Sequence, residues 1–274
     1  MDLLNTVQPS NGWFCVLGIK GKRVDQHLVE TREEVNKFVE DFVSDGWDVY
    51  FGVAKFSTNA NRTKDNVHLL KSFWVDIDCG EAKAVVSEET GRPDGYIDQA
   101  TGLEALKAFC EKIGLPDPVV VNSGRGIHAY WPTIEELTRA EWEPVARRLR
   151  DLCLTHNFYI DPVVFEPARI LRVPETYNFK DDPPNKVTVL EEAEPTSIAD
   201  IRSILGVKES LEVAPKREMS ELSKSLMGNY TSSFTKIMMR SASENGCQQL
   251  LNAYKDRANL TEPRWFNALS IAKF

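Results

Sequence analysis

Phe73-Trp74-Val75-Asp76-Ile77-Asp78 is an apolar run that would make an ordinary buried strand but for two carboxylates spaced two apart at its end. Side chains alternate faces along a strand, so Asp76 and Asp78 share one face while Val75 and Ile77 point to the other. Two like charges held that close resist burial unless a divalent cation or a proton relieves them. The pair suits a metal site and it also suits a solvated strand end, so its partners must be sought elsewhere in the chain.

Two further stretches offer such partners. Ser123-Gly124-Arg125-Gly126-Ile127-His128 puts two glycines where backbone N–H groups can approach a ligand, then one imidazole just inside the next strand. That arrangement suits phosphate oxygens; a glycine hairpin with a buried, hydrogen-bonded histidine is the bland alternative. Neither the Gly-x-Gly-x-x-Gly nor the Gly-x-x-x-x-Gly-Lys-Ser/Thr nucleotide fingerprint occurs. The third stretch is Phe158-Tyr159-Ile160-Asp161-Pro162, followed by Arg169-Ile170-Leu171-Arg172. Asp161 ends an apolar triplet as a candidate third metal carboxylate. Arg169 and Arg172 sit in apolar sequence where an unpaired guanidinium is costly, so each needs an anion, either a phosphate or a nearby carboxylate such as Glu166 or Glu175.

The elements that must position these residues alternate between strand and helix. Residues 12–19 and 48–54 read as strands, and between them Thr31 and Glu34 form a capping box for a helix with Val35, Phe38, Val39, Phe42 and Val43 inward, closed by Gly46. A second capping box, Thr101 with Glu104, opens a helix stopped by Gly114 and Pro116. Strands return at 118–121 and 127–131, joined by the tight glycine link. A third helix starts at Thr138 with Glu141, and Pro144 threatens to bend it. The layout is mixed α/β, with helices covering a largely antiparallel sheet.

Composition bounds the rest. The 274 residues, 42% hydrophobic and 27% charged, suffice for a large core plus a smaller unit. The five cysteines are scattered without a Cys-x-x-Cys pair, so no structural zinc is expected and the thiols read as reduced, in a cytoplasmic protein. No apolar run is long enough to span a membrane. A net charge of −8 argues against coating nucleic acid through a broad positive field, although from Leu205 onward ten Lys and Arg outnumber seven Asp and Glu. Any nucleic-acid contact in the main domain must therefore be local and salt-dependent.

Taken together, the three stretches resemble the archaeo-eukaryotic primases, in particular the primase-polymerases of phages and plasmids. Trp74-Val75-Asp76-Ile77-Asp78 is similar to the family's first motif, Ser123 to His128 to its second, and Ile160-Asp161 with Arg169 and Arg172 to its third. The resemblance covers about Gly12 to Lys180. It implies an α+β fold, an RRM-like antiparallel sheet as catalytic core with an N-terminal α/β accessory unit. It departs in one place: the family often has serine two residues before the histidine, where this chain has Gly126.

The resemblance further implies that Asp76, Asp78 and Asp161 hold two Mg²⁺ or Mn²⁺ ions for nucleotidyl transfer. His128, Arg125, Arg169, Arg172 and the turn Ser123 to Gly126 would cradle the triphosphate, with Arg62 and Lys64 adding to this. Asn178 and Lys180 would meet phosphate or template. The implied partners are a single-stranded DNA template, NTP or dNTP, and a helicase, fused beyond Phe274 or separate. The expected organisation is a catalytic domain over 1–204, a polar linker over 205–233 and the start of a helical primase-like module over 234–274. Two other classes share part of this pattern. A Mn²⁺-dependent glycosyltransferase also uses an Asp-x-Asp pair, but needs none of the other motifs. A non-catalytic, DNA-binding replication initiator would have no use for three carboxylates.

Overall fold

The computed structural model describes residues 3–88 and 90–207, together with Asn252 and Lys255. The chain divides into two units, Met1–Glu209 and Ser210–Phe274. The expected linker beyond Val207, and the expected helical module apart from Asn252 and Lys255, lie outside the described residues.

The first unit opens with α1 (Leu3–Val7), the hairpin β1 (Phe14–Lys20) and β2 (Arg23–Val29), then α2 (Arg32–Ser44) and β3 (Asp48–Gly52). It continues with β4 (Lys55–Phe56), the long β5 (Val67–Ile77), α3 (Gln99–Ile113), β6 (Val119–Asn122), β7 (Ile127–Leu137) and α4 (Arg139–Thr155). It closes with β8 (Ile170–Arg172), β9 (Tyr177–Asn178), β10 (Asn185–Lys186), β11 (Thr188–Glu191) and α5 (Ile198–Leu205).

Two antiparallel sheets carry the chemistry-bearing residues. One has the order β2-β1-β3-β8, the other β11-β6-β7-β5-β4, and a small β9–β10 ribbon stands beside them. The N-terminal unit expected from the sequence is therefore completed by a late strand, since β8 returns to its edge and brings Arg172 opposite Tyr50. In the second sheet β5 and β7 pair without interruption from Ser72–Pro132 to Ile77–Ile127, so Asp76 stands opposite His128. Beyond that run the ladder is broken: the next pair is Leu70–Leu137, leaving residues 133–136 opposite Lys71 alone.

Capping explains where the helices begin. Thr31 and Glu34 bond reciprocally at the start of α2, and the Glu141 side chain accepts from the Thr138 N–H and hydroxyl at α4. α4 runs through Pro144 to Thr155. The expected box at Thr101 is corrected: Asp98 is the N-cap, its carboxylate accepting from the Thr101 N–H at 2.8 Å, and Thr101 lies within the first turn. Gly114 ends that helix in the left-handed conformation, φ +77°.

The core is aromatic and aliphatic. Val75 and Ile77 are fully buried, and Ile77 reaches Gly102 of α3. Trp142 of α4 stacks on Trp74 and Phe73 of β5, with ring centroids 4.8 and 5.9 Å apart, and its indole N–H donates to the Ser72 carbonyl at 2.8 Å. Each such side chain contributes about 1.5–3 kcal/mol by leaving water, which fixes the strand that carries Asp76. Among the described residues no helix is long and apolar enough to cross a membrane.

Candidate active site

Asp76 and His128 face each other across one rung of the β5–β7 ladder, with His128 Nε2 3.8 Å from Asp76 Oδ1. Tyr130 Oη lies 3.4 Å from His128 Nδ1 on the inner side. Burial, then the Arg172 and Arg169 guanidinium groups, pushes the imidazole down to about 3, so it is neutral at ordinary pH. Asp76 moves the other way. Burial first and the neighbouring Asp78 next push its carboxyl up to about 7, with Asp161 adding and Arg169 and Arg172 opposing.

Asp161 is brought to the same place by its backbone: its N–H donates to the Asp76 carbonyl at 2.9 Å. The turn that follows, Pro162–Val164, is held by Asp161 Oδ1, which accepts from the Val163 N–H at 2.9 Å, and by the Trp74 indole N–H on the Val164 carbonyl at 2.8 Å. Asp161 Oδ2 faces Arg169 Nη2 at 3.3 Å. Asp78 is engaged by a residue that sequence reasoning passed over, Lys83, whose Nζ sits 2.8 Å from Asp78 Oδ2.

The opposite wall comes from the other sheet. Arg172 pairs with Asp48 at 2.7 Å, both side chains largely buried, and its guanidinium lies 4.8 Å from the Tyr50 ring centre. The sequence suggested Glu166 or Glu175 as carboxylate partners; the structure instead gives Asp161 to Arg169 and Asp48 to Arg172, while Glu175 pairs with Lys186. The reason is topological, because β3 and β8 are neighbours only after folding. Arg169 Nε is buried with no hydrogen-bond partner among the described residues, so this guanidinium retains an unused donor beside the carboxylates.

The glycine turn is more self-contained than its sequence suggests. The Gly124 N–H donates to Asn122 Oδ1 at 2.7 Å and the Gly126 N–H to Ser123 Oγ at 3.2 Å, so two of the expected phosphate donors already have partners. Ser123 also accepts at its carbonyl from Asn178 Nδ2, and Arg125 forks onto Asp181 with its shortest contact at 2.6 Å. A Cβ at position 126 would stand 2.4 Å from the Ile77 carbonyl oxygen, which accounts for glycine there in place of serine.

The peripheral candidates are spread out. Arg62 donates to Gln26 Oε1 and to the Ala168 carbonyl, next to Arg169. Lys180 is exposed, its N–H on Asn178 Oδ1, and Lys64 lies on an exposed loop where its carbonyl accepts from Arg139. The structure thus sets His128 opposite Asp76 and places Asp78, Asp161, Arg169 and Arg172 within electrostatic reach of it. It leaves Ser123, Gly124, Arg125 and Gly126 as a turn at the rim of this group.

The all-oxygen chemistry of three carboxylates fits a hard divalent ion such as Mg²⁺ or Mn²⁺. As they stand, however, two of the three side chains are turned toward cations of the protein itself. Among the described residues no group of three or more His, Cys, Asp or Glu side chains is gathered to hold a metal.

No protein-family model matches the chain, and no curated protein matches it either. Among solved structures it is similar to the AEP domain of the cyanophage S-2L primase-polymerase, at 16% identity and a TM-score of 0.50, over 71% of this chain and 89% of that one. Looser overlays are found with the primase RepB′, at 13% identity and a TM-score of 0.47 over 95% of this chain and 81% of that one. The polymerase domain of Mycobacterium tuberculosis ligase D, solved with DNA, overlays at 13% identity and a TM-score of 0.42, over 72% and 71%. The two sheets, their antiparallel ladders and the cyanophage overlay together give this chain an archaeo-eukaryotic primase-type fold.

Proposed function

We propose that this protein transfers nucleotidyl groups from NTP or dNTP to a DNA primer on a single-stranded template, as a primase or polymerase. The observation that supports the reading is the approach of carboxylates from two segments, Asp76 and Asp78 at the end of β5 and Asp161 before the Pro162–Val164 turn. The Asp161 N–H is bonded to the Asp76 carbonyl, and Asp78 and Asp161 both act on the Asp76 carboxyl. Surplus negative charge of this kind calls for cations, and Asp76, Asp78 and Asp161 are the residues that would hold Mg²⁺ or Mn²⁺. When bound, such ions activate an attacking 3′-hydroxyl and neutralise charge on the departing pyrophosphate.

The chain's own groups supply the rest. Arg169, with its unused Nε, would bind a phosphate oxygen by a charge-assisted hydrogen bond. His128 is neutral, with Nδ1 3.4 Å from the Tyr130 hydroxyl; in the tautomer with Nδ1 accepting from that hydroxyl it would carry its proton on Nε2 and offer a hydrogen bond without adding charge. Arg172 is already neutralised by Asp48, so its role is to hold the wall and the local potential. Arg125, Arg62 and Lys180, nearer the surface, would steer the nucleotide or the template strand. A helicase partner would sit upstream in the same process, delivering single strands.

The test is primer synthesis and extension with Mn²⁺, labelled nucleotides and a single-stranded template, on wild type, Asp76→Ala, Asp78→Ala and Asp161→Ala. Each variant is expected to melt cooperatively and to incorporate no nucleotide. A folded variant that still incorporates would refute the assignment. A DNA mobility shift without product from wild type would favour the initiator reading, and consumption of a nucleotide sugar would favour the glycosyltransferase.

A further inference from the structure

We propose that Lys83 is a resident counter-ion of the carboxylate centre. Its ammonium holds Asp78 while the site is empty and passes to the nucleotide's phosphates when they arrive, freeing Asp78 for the divalent ion. The inference rests on the nucleotidyl-transfer reading and deepens it.

Three observations carry it. The contact is direct, Lys83 Nζ to Asp78 Oδ2 at 2.8 Å, with the side chains 44% and 43% exposed, so the pair can part without opening the core. A lysine ammonium is a compact charge on a flexible stem, which suits a group that must change partners.

The second observation is that the lysine is placed by a built strap rather than by a loose loop. The chain leaves Asp78, turns through the Glu81–Lys83 helical turn and comes back, so that the Asp94 and Gly95 N–H groups donate to the Lys83 carbonyl at 3.1 and 2.9 Å. Tyr96 then donates to the Asp78 carbonyl at 3.0 Å and accepts at its own carbonyl from the Gly80 N–H at 2.8 Å. Gly95 is pressed so close that a Cβ would lie 2.1 Å from the Asp78 carbonyl oxygen. The Tyr96 hydroxyl accepts from the Tyr159 N–H at 3.1 Å, two residues before Asp161. One strap therefore grips the segments of Asp78 and Asp161 and sets the ammonium against Asp78.

The third observation is the local charge balance. Arg172 is committed to Asp48, and Arg169 faces Asp161, which leaves Lys83 as the cation on Asp78. That distribution accounts for carboxylates that share one electrostatic neighbourhood and yet are not gathered as a ligand set.

The consequence is a pair of effects with opposite signs. Without nucleotide, Lys83→Gln should bind Mn²⁺ about two- to fivefold more tightly than wild type, the factor corresponding to one exposed ion pair. The same variant should bind dATP in the presence of Mn²⁺ more weakly by a similar factor, because the phosphates lose a cation. Lys83→Arg should stay within about twofold of wild type on both counts, since it keeps the charge. Free Mn²⁺ followed by electron paramagnetic resonance reads the first effect, and calorimetric titration with dATP the second.

A Lys83→Gln protein that binds Mn²⁺ no more tightly than wild type, or binds both ligands more weakly, overturns the proposal. So does a Lys83→Arg protein that tightens like Lys83→Gln. Asp78→Asn separates this failure from that of the underlying reading. If Asp78→Asn loses Mn²⁺ while Lys83→Gln is unchanged, only the role of Lys83 falls. If Asp78→Asn binds Mn²⁺ as wild type does, the carboxylate centre itself is wrong.

Discussion

Asp76→Asn should make the metal-free protein more stable, and more so as pH rises. In the folded chain the Asp76 carboxyl titrates near pH 7, against an ordinary value of 3.8, because burial and Asp78 both disfavour its charge. A carboxyl whose value is raised by folding stabilises the native state while protonated, and that stability is lost as pH climbs from about 4 through about 7. Integrating between those two values gives a cost on the order of 4 kcal/mol at about pH 8 and under about 2 kcal/mol at about pH 5. Asparagine has no such cost. The advantage of Asp76→Asn over wild type should therefore grow by about 2–3 kcal/mol between those pH values, whatever constant offset the new amide brings. His128 does not disturb the comparison, because its protonation contributes equally to wild type and variant when its own value is unchanged. The assay is urea denaturation of both proteins in chelator at the two pH values. An advantage that is flat with pH, or that shrinks toward alkaline pH, would show that Asp76 is not the strained charge described here. Saturating Mn²⁺ should erase the advantage, since the ion supplies the missing positive charge only to wild type.

Other substitutions probe the frame around that charge. Gly126→Ser should cost about 1–3 kcal/mol because its Cβ meets the Ile77 carbonyl at 2.4 Å; a thermal melt should fall by roughly 2–4 °C per kcal/mol, and an unchanged melt would mean that the turn lifts freely off β5. Asp48→Ala strips the partner from buried Arg172 and the acceptor from the Phe179 N–H, so urea denaturation should show a loss of about 3–5 kcal/mol. Asp48→Asn keeps the acceptor oxygen and should lose less; equal losses would mean that the hydrogen bond contributes nothing beyond the charge.

Much of this was legible in the chain because periodicity and capping are local. The pattern around Val35 and Phe42 places α2, the Thr138–Glu141 pair places the start of α4, and Asp76, His128 and Asp161 stand out as polar groups within apolar runs. What escaped notice depends on contacts across the fold. β2 reads Arg-Val-Asp-Gln-His-Leu-Val, and as an exposed edge strand it needs no apolar alternation to announce itself. Asp48 at the start of a strand looks like a solvated end until β8 returns beside it with Arg172. The strap from Gly80 to Tyr96 has neither helical nor strand periodicity, so Lys83 and Tyr96 carried no signal, although the tight approach of Gly95 is the kind of place where glycine is required. In the glycine turn, Asn122 and Ser123 take up N–H groups that the sequence alone leaves open for a ligand.

The broken ladder between β5 and β7 bears on how the chain tolerates changes of length. Residues 133–136 already stand opposite a single residue of β5, so the loss or gain of a residue there leaves the neighbouring rungs in register and is felt instead in this segment's own contacts with Ser10, Thr196 and Ile198. The six rungs from Ser72–Pro132 to Ile77–Ile127 have no such slack, and deleting one residue within them on either strand would turn Asp76 or His128 toward α3. A change of length in this strand pair therefore leaves Asp76 and His128 facing each other only when it falls at the far end, beyond the Ser72–Pro132 rung.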